Sequence, residues 1–112
     1  MTTWNEIKES LLKECEDDEA ALWFILEELR DRPGLNDEVE IRRATLQMVR
    51  ELLETGEVVA GMYAPPDSGL PAWQIVGWPG SIDDILARIE EEWDKLGREP
   101  NPGEVVVLQA KD

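Results

Sequence analysis

The chain has no histidine, one cysteine, one tyrosine and one phenylalanine, and eleven basic residues against twenty-six acidic ones. The missing histidine removes the commonest general base and proton shuttle. A lone Cys15 excludes a disulfide within the chain and fits a reducing compartment. Its neighbours Glu14 and Glu16 suppress the thiolate, and helical spacing puts it on an apolar face, so it reads as core. Ser10, Ser68 and Ser81 have no activating base in a recognisable arrangement. Calcium-loop spacing and phosphate-cradling glycine loops are also missing. The pairs Asp17-Asp18 and Asp83-Asp84 fall at expected helix starts, where acids have a structural reason to be. The expectation is a protein without catalytic activity, cofactor or metal.

Long hydrophobic runs are absent too. The longest, Ala20 to Leu26, is far too short to cross a bilayer. Met1-Thr2-Thr3-Trp4-Asn5-Glu6 lacks the basic-then-apolar pattern of a signal peptide, so a cytoplasmic location is expected.

What the chain does have is negative charge. The formal net charge is −15, beyond the magnitude of about 8 that solubility alone explains in a small domain. Such a surface repels nucleic acid and anionic membranes, and it accelerates encounter with basic proteins. The charge is uneven: residues 1–31 carry ten acids and three bases, residues 57–80 only two acids and no base, and residues 81–112 nine acids and four bases. A hydrophobic content of 42% argues against disorder, and 112 residues make one domain, 1–112.

Thr3 and Glu6 form a capping box that should open a first helix with Trp4, Ile7, Leu11 and Cys15 on one face. Asp17 or Asp18 is expected to cap a second helix over roughly 18–31, stopped by Arg32-Pro33-Gly34. Asn36 or Asp37 caps a third, running to about Thr55 with Gly56 after its end. Glu57 to Tyr63 and Ala72 to Gly77 read as a hairpin around a turn-rich tip. Ser81 caps a fourth helix with Ile82, Ile85, Leu86, Ile89, Trp93 and Leu96 in unbroken helical period, ended by Gly97. Glu104 to Gln109 is a strand by its β-branched content. Three helices and then a hairpin predict an α+β fold: a winged-helix-like core with a β-hairpin wing, plus a C-terminal helix and strand.

The third helix carries Arg42, Arg43 and Arg50 but also Asp37, Glu38, Glu40, Glu51 and Glu54, and the wing has no Lys or Arg. That surface cannot neutralise a run of phosphates, so nucleic acid is excluded as a partner and the arginines are expected to pair with Glu38, Glu40 and Glu54. Candidate docking residues lie elsewhere. Asp83, Glu90 and Asp94 form a stripe on the fourth helix with no base at i±4 inside it, whereas Asp84, Arg88 and Glu92, and Glu91 and Lys95, can neutralise one another. Glu27, Glu28 and Asp31 crowd the end of the second helix, where acids oppose the dipole; Arg30 and Arg32 offset part of that. Of five tryptophans, Trp4, Trp23 and Trp93 fall on core faces. Trp73 and Trp78 flank the second wing strand, as interface anchors or packed onto the fourth helix.

Ser81-Ile82-Asp83-Asp84-Ile85-Leu86-Ala87-Arg88-Ile89, then Trp93-Asp94-Lys95-Leu96-Gly97-Arg98 and Pro102-Gly103-Glu104-Val105, together with the helix–wing junction, resemble small acidic bacterial immunity proteins of polymorphic or contact-dependent toxin systems. Where many of those proteins have an aromatic residue in the last strand, this chain has Val106-Val107. The resemblance implies a cytoplasmic inhibitor that binds one cognate toxin domain and blocks it with carboxylates. The alternative is a non-catalytic winged-helix adaptor or dimerising scaffold, a homodimer included, with contact through the apolar wing and the third helix.

Overall fold

The computed structural model of the chain describes residues 3–30 and 37–111. Helix α1, Trp4–Asp17, starts at the predicted capping box, with the Thr3 side chain accepting from the Glu6 N–H at 3.2 Å, and buries Ile7, Leu11 and Cys15. Its end departs from expectation. Asp18 does not open a second helix; it closes the first, donating its N–H to the Glu14 carbonyl at 2.8 Å. Ala20–Ala21 then forms a short strand, β1, and only Leu22–Arg30 is helical, as α2. The apolar run from Ala20 carries no periodicity that separates strand from helix. A tertiary partner decides it: Ala20 and Ala21 pair with Leu108 and Val107. The predicted stop at Arg32-Pro33-Gly34 lies outside the described residues.

Asp37 caps α3, Glu38–Glu54, by accepting from the Val39 N–H at 2.8 Å, and Gly56 follows its end at φ +76°. Strands β2, Val58–Tyr63, and β3, Ile75–Gly77, form the expected antiparallel hairpin, with the second arm shorter than predicted. Ser81 and Asp84 build a reciprocal capping box at the start of α4, Ile82–Leu96, and Gly97 ends it at φ +66°. Strand β4, Val107–Ala110, completes an antiparallel sheet of order β1-β4-β2-β3. The fold is therefore α+β.

The last strand lies inside the sheet, pairing with β1 through Ala20 and with β2 through Val58 to Gly61. It thus ties the chain's first third to its middle. Helix α1 packs on β4 and β1, α3 on β2 and α2, and α4 on α3. The core joins Leu11, Leu22, Ile25, Leu29, Met48, Leu52, Ile89 and Leu108, all 0% exposed. Just before β4, Val105 takes φ +71° at the centre of a turn closed by the Val106 N–H on the Glu104 carbonyl at 2.9 Å. That is a strained position for a β-branched residue, and burial of its side chain holds it there. On the outer sheet face the Tyr63 hydroxyl donates to Glu19 at 2.6 Å, so the side chains bridge from β2 to the start of β1 across β4.

Candidate partner-binding surface

Two of the three arginines of α3, Arg42 and Arg50, face α4 and not their own helix. Arg50 lies 2.6 Å from Asp83 and Arg42 lies 2.8 Å from Asp94. Arg42 also donates to the Glu90 carbonyl at 3.2 Å and sits over the Trp93 ring at 4.8 Å. The predicted pairs along α3 are therefore corrected: Glu38 engages Arg30 at 3.2 Å, and Glu40 and Glu54 have no ion pair among the described residues. Helical spacing puts Arg42 and Arg50 on the face that meets α4, and there the carboxylates of Asp83 and Asp94 are nearer than any within α3. Those two members of the predicted acidic stripe thus have internal partners, although such exposed pairs contribute only about 0–1 kcal/mol. Glu90 has no ion pair among the described residues and borders a hollow of about 430 Å³ with Arg43 and Leu46.

On α2, Glu27 sits 3.6 Å from Arg30, which Glu38 and Glu99 also engage. Glu28 is half-buried without an ion pair among the described residues. Asp31 lies outside them. The two wing tryptophans part ways. Trp78 packs under the Arg88 guanidinium, 4.0 Å from the ring centroid, so Arg88 makes no ion pair with Asp84 or Glu92. Trp73 is 74% exposed. It stands in a turn closed by the Gln74 N–H on the Pro71 carbonyl at 3.0 Å.

A second set of carboxylates gathers at the helix boundaries. Neither α1 nor α3 has a base in its last turn. Their C-terminal ends lie side by side. Glu16 lines one hollow with Gly56, Glu57 and Lys111, and Asp17 and Asp18 line the adjoining one with Gln109 and Ala110. Among the described residues no ion pair engages Glu14, Glu16, Asp17, Asp18, Glu54 or Glu57. Two negative helix ends and the side chains of Glu16, Asp17, Asp18 and Glu57 thus form one acidic pole, with Lys111 as the base lining both hollows. The signal that would have found it is the rule applied to α2, acids in a helix's last turn, extended to α1 and α3.

Burial first, and then Glu14, push the Cys15 thiol up to about 12, which keeps it protonated. No cluster of three or more acidic or thiol side chains among the described residues is placed to hold a metal ion. No described helix is long and apolar enough to cross a membrane. No protein-family model, curated protein or solved structure matches the chain.

Proposed function

We propose that this chain is a stoichiometric, non-catalytic inhibitor that neutralises one basic, nuclease-like protein, a toxin domain in the manner of the immunity proteins it resembles. The acidic pole is the first contact, and Glu28 and Glu90 are secondary ones. The observation that carries the reading is how the charges are distributed. Lys8, Arg30, Arg42, Arg50, Lys95 and Arg98 are each engaged by carboxylates within the chain. The pole is left with like charges at two helix ends, an arrangement that costs stability and that a cationic partner relieves. Its carboxylates would occupy sites on the partner that otherwise hold phosphates.

The test is to tag the protein at native level in its own cells and capture partners at physiological salt. A single basic protein in one-to-one ratio, toxic when this chain is removed, is expected. Neutralising the pole (Glu16→Gln, Asp17→Asn, Asp18→Asn, Glu57→Gln) should slow its association about tenfold or more, and salt should do the same. Neutralising Glu27, Glu28 and Glu90 should have a smaller effect. Capture of an acidic complex indifferent to all of these changes would sink the proposal.

A further inference from the structure

The hairpin is the opposite of the pole. Between residues 58 and 80 the only charged side chain is Asp67, in a chain of net charge −15. Three of the four exposed large apolar side chains among the described residues fall within it: Leu70 at 44%, Trp73 at 74% and Val76 at 41%. Its tip is ordered from within. The Ser68 hydroxyl donates to the Pro65 carbonyl at 2.7 Å and accepts from the Leu70 N–H at 3.2 Å. Pre-ordering of this kind lowers the entropic cost of docking.

The two sheet edges are treated differently. At one edge β1 is two residues long and follows Asp17, Asp18 and Glu19, which guard it against pairing. At the other, β3 has no lysine, no bulge and no charge. In the hairpin the Ala64 N–H bonds to the Gln74 carbonyl and the Trp78 N–H to the Ala60 carbonyl. Antiparallel alternation then directs the amide and carbonyl of Ile75 and Gly77 outward, to the open edge.

We propose that β3 is the docking site for a second copy of this chain, which adds its own β3 antiparallel across a two-fold axis through Val76. Ile75 of each copy exchanges both backbone hydrogen bonds with Gly77 of the other. The two Val76 residues face each other as the closely spaced, non-hydrogen-bonded pair, and Trp73 is covered. The edge is self-complementary, its outward amides and carbonyls lying symmetrically about Val76, and charge selects this face for it. Two chains of −15 that meet at any acidic face oppose carboxylates, whereas the hairpin lets them approach with almost none. The dimer leaves the acidic pole free, because β2 begins there and runs from it towards the hairpin tip, so it stands independently of the inhibitor role.

The experiment is cysteine trapping of the full chain. Facing β-carbons on the axis suit a disulfide. Cys15 does not compete, being buried. Under mild oxidation Val76→Cys should give a cross-linked dimer about tenfold or more faster than Asp67→Cys, a likewise exposed control at the hairpin tip. Sedimentation should show that the unaltered protein self-associates more strongly as salt rises, the reverse of an acidic face binding a basic partner. Val76→Lys and Trp73→Ser, both at exposed positions, should be monomers with unchanged circular dichroism. Equal cross-linking of the two cysteine variants, or a monomer at all salt concentrations up to roughly millimolar protein, would overturn the proposal.

Discussion

Gly61 and Tyr63 sit two residues apart on β2 and show how one side chain can govern a strand. A β-carbon at Gly61 would lie 2.2 Å from the Val76 carbonyl oxygen, which is backbone and cannot swing away. Gly61→Ala should therefore push β3 off β2. Chemical denaturation should show a loss of about 1–3 kcal/mol, and Val76→Cys cross-linking should fail in that background. Tyr63 is held by Glu19. That hydrogen bond, then burial and the negative charges of Glu19 and Asp18, raise its hydroxyl from 10.0 to about 12. A raised value means the bond's contribution is complete below about pH 10 and fades as pH climbs towards 12. Tyr63→Phe should cost about 1 kcal/mol at neutral pH and remove that alkaline loss, as followed by melting at stepped pH. Neither role can be read from the residue types: Gly61 needs its neighbour's position, and Tyr63 needs a carboxylate 44 residues away.

At the scale of elements, local chemistry was the better guide where it was strongest. The caps at Thr3, Asp37 and Ser81 and the end at Gly97 all form where the sequence places them. Capping depends only on the nearest few residues. Ser81→Ala should remove half of its capping box and cost about 1 kcal/mol, seen as a lower denaturation midpoint with the slope unchanged. Local reasoning failed at Ala20–Ala21, where a non-periodic apolar run was claimed by β4, and along α3, where arginines chose α4's carboxylates over their own helix. Both outcomes belong to the packing of elements distant in sequence.

For the whole molecule, the governing quantity is a charge of −15 spread unevenly, with an acidic pole at one place and a nearly uncharged hairpin at another. Carboxylates at two helix C-terminal ends repel each other and oppose both dipoles. Glu16→Gln with Glu57→Gln should therefore raise the melting temperature by a few degrees, while slowing capture of a basic partner. Added salt should also raise the melting temperature of the unaltered protein by screening the same repulsion. A variant that melts lower would show that these carboxylates do not destabilise the fold, and one that keeps full partner association would show that the pole has no binding role.

The sequence by itself determined the α+β class, the helix caps, the hairpin, the apolar face of α4 and the excess of acid. All of these follow from composition, periodicity and contacts within a few residues. Tertiary structure alone decided that the last strand runs between the first and second, that Asp83 and Asp94 are occupied by arginines, and that Trp78 is packed while Trp73 is exposed. It also decided that the acids ending α1 and α3 meet at one pole. The physical reason is common to these. Charge pairing and strand pairing act between atoms a few ångströms apart, and which atoms those are is fixed only when the core has closed.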